Sequence, residues 1–201
     1  DKEMVYLASA YMGKAGIDFI NLLEIVDSDN VSTYNVMAAM LGTNSLKRAS
    51  ESKTVEEYYN ALSKSYGALS GESSDQDVRL MRGMVGAMDI VVIVSDVVLA
   101  VTGTDILPLT KEGVDSALSS AGIGSVSAAD ITDNVDNATV RIERDLKSIE
   151  GVLDLLIELY GDDAPSDVQE SFEDFLDELD YGGDGTYSAS DVATYINSNL
   201  R

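Results

Sequence analysis

The sequence has no cysteine and no histidine. Their absence removes every Ser-His and Cys-His catalytic pair, the usual zinc sites, haem attachment, iron–sulfur ligation and all disulfides. Proline occurs twice and glycine 16 times in 201 residues, while hydrophobic residues make up 45%. That excludes a collagen-like chain and a wholly disordered one. Positive charge is scarce: 13 Lys and Arg face 36 Asp and Glu, for a net charge of -23. Such a field repels phosphate, so nucleic acid and anionic lipid surfaces are poor partners. An uninterrupted apolar run of about 20 residues is missing too. The longest, Met84 to Val101, is 18 residues and carries Asp89 and Asp96. A spanning helix needs about 20 apolar residues, and each central Asp costs roughly 2.5–3.5 kcal/mol. The run reads as the core helix of a soluble protein, with no transmembrane segment.

What is present is helical. Lys2 to Val26 is strongly apolar, and Gly13 and Gly16 in its middle predict a pair of helices, with Asp18 capping the second. A shorter helix follows from Thr33 to Leu41. Thr54 and Glu57 form a capping-box pair that opens a helix to about Leu69. The central helix is expected from Asp75 to Thr102, closed by Gly103. On it Arg82, Asp89 and Asp96 lie seven apart, in one narrow polar stripe that we expect to be solvated. Every other face is apolar, so other helices must surround it. Thr110 caps a short helix ending at Gly122, Ser127 starts a helical turn, and an amphipathic helix runs from Asp133 to Tyr160. Ser166 and Gln169 open an acidic helix to Leu179, and Ala189 to Asn199 closes the chain. The expected fold class is all-α: helical hairpins packed around a central apolar helix. Residues 1–161 form the bundle, and 162–201 an acidic helix-loop-helix packed on it.

Two segments share a spacing: Met4-x-x-Leu7-Ala8-x-x-Tyr11 and Tyr59-x-x-Leu62-Ser63-x-x-Tyr66. The pattern resembles the first helix of a tetratricopeptide repeat, in which a small residue lets the paired helix approach. The copies stand 55 residues apart rather than about 34, and the second-helix Ala and Phe are missing. The segment from Tyr6 to Leu23 is also similar to bacterial envelope lipoproteins with irregular helical repeats. That resemblance implies a periplasmic or outer-membrane-associated chain whose leader has been removed, since the first residue is Asp1 and not Met. It leaves room for a lipid anchor upstream of Asp1. The lack of cysteine fits an envelope compartment, and equally an intracellular protein that avoids thiols.

The segment from Asp180 to Asp191 resembles an EF-hand loop, most nearly the dockerin form that ends in Asp. The resemblance implies Ca²⁺ held by Asp180, Asp184, the Thr186 carbonyl, Ser188 and Asp191, with Gly185 at the sharp turn. Gly182 stands where a carboxylate belongs, so the expected affinity is weak, about 10⁻⁴–10⁻³ M. On the residues alone, Asp184-Gly185 is a tight turn and Ser188 and Asp191 cap the last helix.

The remaining candidates are softer. With no His, an enzyme would have to use carboxylates, Tyr or Lys. The one carboxylate pair on an apolar element is Asp89 and Asp96, about 10 Å apart along the helix, and no enzymatic role is expected. All seven methionines fall in the first 88 residues. Methionine is flexible and lines adaptable apolar sites as well as filling cores. Met12, Phe19, Leu23, Met37, Met40, Met84, Met88 and Val92 are the candidate lining of a site for a lipid-like molecule such as a sterol or fatty acid. The alternative is a repeat-like protein-interaction scaffold. From Gly151 to Arg201 there are 13 acidic residues and one basic one, a solvated face or a docking surface for a basic partner.

Overall fold

The computed structural model describes residues 2–14, 54–70, 74–106, 111–160, 173, 176–177, 179–180 and 186–201. Within them the chain is all-α, with no strand among the described residues. The helices are α1 (Lys2–Lys14), α2 (Val55–Ala68), α3 (Gln76–Thr102), α4 (Lys111–Ser120), α5 (Ala128–Asn134), α6 (Ala138–Tyr160) and α7 (Ala189–Asn199).

Local chemistry sets most of the boundaries. At α2, Glu57 N–H donates to Thr54 Oγ1 at 3.2 Å and Thr54 N–H to Glu57 Oε2 at 2.9 Å, closing the expected capping box. Asp75 accepts from Asp77 N–H at 3.0 Å and starts α3. Gly103 ends it at φ 70°, its N–H reaching Leu99 O at 2.7 Å. Ser127 and Asp130 box the start of α5, and Ser188 and Asp191 the start of α7. One boundary differs from the sequence expectation. The helix expected from Asp133 begins at Ala138 instead: the turn that Ser127 opens runs on as α5 to Asn134, and Asn137 stands in the left-handed region at φ 54° between the two. Asn tolerates that conformation better than most residues, so the break costs little.

α3 occupies the centre. It packs along α6 on one side, α2 and α1 on another, and α4 and α5 on a third. From Val78 to Val98 nearly every side chain is buried, which is why a helix apolar on most faces is stable here. α3 is long and apolar enough to cross a membrane by length and composition, and 78% of its most apolar window is buried inside the bundle. Two glycines set its distance from α6. A Cβ on Gly86 would lie 2.8 Å from the Asp145 carbonyl oxygen, and one on Gly83 would lie 2.9 Å from that of Ser148. The backbones touch at these two points, so any larger residue would force them apart.

The C-terminal helix belongs to the same core. Val192, Ile196 and Leu200 are buried in one cluster with α3 and α6. Asn197 donates to Val126 O at 2.8 Å and accepts from Val126 N–H at 2.9 Å, tying α7 to the link before α5.

Candidate functional site

Of the eight candidate ligand-lining residues, four are described. Met12 of α1 and Met84, Met88 and Val92 of α3 are all buried, and all belong to the one continuous apolar core. Phe19, Leu23, Met37 and Met40 lie outside the described residues. α1 reaches this core through α2 as well as α3: Ser65 Oγ of α2 lies 3.1 Å from the Ala8 carbonyl, a buried contact that draws the two helices together. The other side of α1 is open, with Tyr6 70% and Leu7 48% exposed. The two copies of the repeat-like spacing therefore sit on paired helices. Ala8 is buried and Leu7 exposed in the first, while Leu62 is buried and Ser63 exposed in the second.

Part of the calcium-loop candidate is described: Asp180, Thr186, Ser188 and Asp191, with Asp184 outside. Asp191 Oδ2 accepts from Ser188 N–H at 2.9 Å and from Ser188 Oγ at 2.5 Å. Ser188 Oγ in turn accepts from Ser190 N–H at 3.2 Å. These bonds complete the first turn of α7 and engage Oδ2 of Asp191. Tyr187, between them, donates to Glu150 Oε1 of α6 at 2.6 Å. Burial and that bond to a carboxylate both push the phenol up from its ordinary range.

The polar stripe on α3 is a correction to the sequence reading. It is not a solvated stripe: Arg82 and Asp89 both bond to neighbouring helices, and Asp96 stays partly in water. Arg82 donates from Nε (2.8 Å) and Nη2 (2.5 Å) to the Leu69 carbonyl, capping the C-terminus of α2 where a cation is favoured. Asp89 is 2% exposed. Its Oδ1 accepts from Arg141 Nη2 at 2.7 Å, and its Oδ2 from Arg141 Nε at 3.0 Å and Arg144 Nη2 at 2.8 Å. Asp96 is half-buried, and desolvation raises its pKa against the lowering effect of Arg141. The physical reason is that a charge on a helix apolar all round can be buried when paired, and α6 presents two arginines one turn apart at that level.

Around this pair is a polar seam the sequence reading missed. Arg144 bridges Asp89 and Asp145, its Nη2 standing 2.6 Å from Asp145 Oδ1. The guanidinium of Arg141 lies 4.5 Å from the centre of the Tyr59 ring, and that of Arg144 lies 3.8 Å from that of Tyr66. Both are cation–π contacts contributed by α2. Tyr66 hydroxyl hydrogen-bonds Ser148, which donates to the Arg144 carbonyl at 2.8 Å. Burial first, then the nearby Asp145, raises the Tyr66 pKa. Half of the signal for the seam was available: Asp89 lies amid an apolar run and demands a cationic partner, but no spacing names Arg141 and Arg144 as that partner. No family model, curated protein or solved structure matches this chain.

Proposed function

We propose that this chain is a non-catalytic envelope protein that binds an apolar, lipid-like molecule, such as a sterol or fatty acid, as a carrier or transport component. One observation carries the reading. The methionines Met12, Met84 and Met88 converge with Val92 on a single buried apolar core contributed by α1 and the central helix. Methionine has three rotatable bonds and a polarizable sulfur, so such a core can admit a ligand by changing side-chain rotamers without unfolding helices. A periplasmic or outer-membrane-associated location suits that task, since a carrier there moves apolar cargo through an aqueous space.

The test is direct. The purified chain is extracted with organic solvent and examined by native and lipid mass spectrometry, then offered a panel of sterols and fatty acids. A retained or stoichiometrically bound lipid, weakened at least about tenfold by Met88→Asp, supports the carrier reading. No binding across the panel sinks it.

The second reading is a protein-interaction scaffold whose C-terminus is closed by Ca²⁺ at Asp180, Asp184, Thr186, Ser188 and Asp191. The adjacent exposed Tyr6 and Leu7 on α1 support it, as an apolar pair that a partner could cover. It expects salt-sensitive capture of a basic partner. It also expects Ca²⁺ to raise the melting temperature of the wild type and not that of Asp184→Ala.

A further inference from the structure

Asp145 is fully buried, and its two oxygens are treated unequally. Oδ1 receives Arg144 Nε at 2.8 Å and Nη2 at 2.6 Å. Oδ2 has no donor aimed at it. Asp89, by contrast, receives N–H groups on both oxygens. A buried carboxylate oxygen without a donor is costly, and native structures contain few of them. A proton on Oδ2 removes that cost without moving a heavy atom, because the orphan acceptor becomes a donor. The two carboxyl groups are neighbours: Arg144 Nη2 touches Asp89 Oδ2 at 2.8 Å and Asp145 Oδ1 at 2.6 Å at once.

We infer that Asp145 and Asp89 form a buried acid–carboxylate pair sharing one proton, which holds α6 on α3 and loosens when the pH rises enough to remove it. The groups facing Asp145 fit this assignment. From α3 comes Asp89; from α6 come Arg141, 7% exposed, and Arg144, 34% exposed; from α2 come Tyr59 and Tyr66 over the two guanidinium groups. In the deepest part, one anion (Asp89) is matched by one cation (Arg141), while Arg144 keeps part of its charge in water. A second anion there would be poorly compensated. Burial is the largest influence raising the Asp145 pKa well above the carboxylate range, followed by the charge of Asp89, with Arg144 opposing. The site is tight: the backbone of Asp145 sits directly against Gly86, so a lost hydrogen bond at Asp145 acts on the closest approach of the two helices.

The sign follows from linkage. A carboxyl whose folded pKa is raised binds its proton more tightly when folded. Its contribution is fully present below the unfolded value, about 3.9, and is lost as pH rises through the folded value. The test is carbon NMR of the side-chain carboxyl groups in the full chain, titrated from about pH 4 to pH 9, with Asp145→Asn as control. The expected result is one aspartyl carboxyl that keeps its proton after the other aspartates have ionised, absent from Asp145→Asn and shifted to lower pH by Asp89→Asn. Asp145→Asn, which keeps a neutral donor in place, is also expected to abolish most of the decline in melting temperature that accompanies that titration. If no aspartyl carboxyl of the wild type titrates above the rest, the inference is wrong, and that measurement stands even should the variants fail to fold.

Discussion

At the scale of single residues, the interface between α3 and α6 depends on the side chains that two glycines lack, and a third glycine supplies the contrast. Gly83 and Gly86 have backbone atoms of α6 within 3 Å of where a Cβ would lie, whereas at Gly151, inside α6, a Cβ would meet nothing within 4 Å. Helical glycine is otherwise a cost of about 0.5–1 kcal/mol relative to alanine. Alanine scanning of the three should therefore split in sign. Gly86→Ala and Gly83→Ala are expected to destabilise by about 1–3 kcal/mol, since backbone cannot move aside as a side chain can. Gly151→Ala is expected to stabilise by about 0.5–1 kcal/mol. Urea denaturation reads all three, and equal effects at Gly86 and Gly151 would show that the helices do not touch as described. The ion pair beside them gives a second contrast. Arg141→Met alone takes two of the three N–H groups from Asp89, leaves it to Arg144, and should cost up to about 3–5 kcal/mol, while Arg141→Met with Asp89→Leu should recover most of it. If the double variant is as unstable as the single one, the seam is held by more than charge compensation.

At the scale of elements, legibility tracked how local the cause was. The ends of α2, α3 and α7 lay within a residue of their sequence expectations because the bonds that fix them span two to four positions, as in the Thr54–Glu57 and Ser188–Asp191 pairs. That two helical pieces follow Ser127 was legible, but the start of the second at Ala138 was not, since Asn137 signals a left-handed turn no more strongly than many asparagines inside helices do. The placement of α6 along α3 was hidden for a different reason. It rests on Asp89 meeting Arg141 and Arg144, contacts separated by 52 and 55 positions, and no sequence spacing reports them. The caps supply the test at this scale. Asp130 is held below the ordinary carboxylate range by its bonds from the Ser127 hydroxyl and N–H. Its stabilising share is present above the unfolded value, about 3.9, and disappears as pH falls through the lower folded value. Ser127→Ala should cost about 1 kcal/mol near neutral pH. That difference from wild type should shrink in strong acid, where the cap is lost in both. A difference that persists unchanged below the folded pKa would show that the hydroxyl acts without its carboxylate partner.

For the whole molecule, the dominant fact is the imbalance between surface and seam. The net charge of -23 is carried by a chain whose buried charges are already matched at Asp89 and Arg141. Fold class followed from the sequence because the apolar runs are helix-length and capped, and a helix apolar on most faces must be enclosed, here by other helices. Function did not, because methionines that fill a core and methionines that line a binding site have the same spacing, and only occupancy separates them. The two charge populations respond differently to salt, and that distinction can be measured. Repulsion among exposed carboxylates works against the compact state and falls off beyond a Debye length of about 30 Å at 0.01 M salt and about 10 Å at 0.1 M. Buried pairs are screened far less. Raising NaCl over that range should therefore raise the melting temperature of the wild type, and by the same amount in the Arg141→Met/Asp89→Leu double variant. In a domain of this size each kcal/mol moves the melting temperature by about 2–4 °C, so a rise of several degrees is expected. A melting temperature that falls with salt would mean that exposed ion pairs such as Arg79–Glu158 outweigh the repulsion. A rise confined to the wild type would mean that the seam is open to solvent, contrary to its burial.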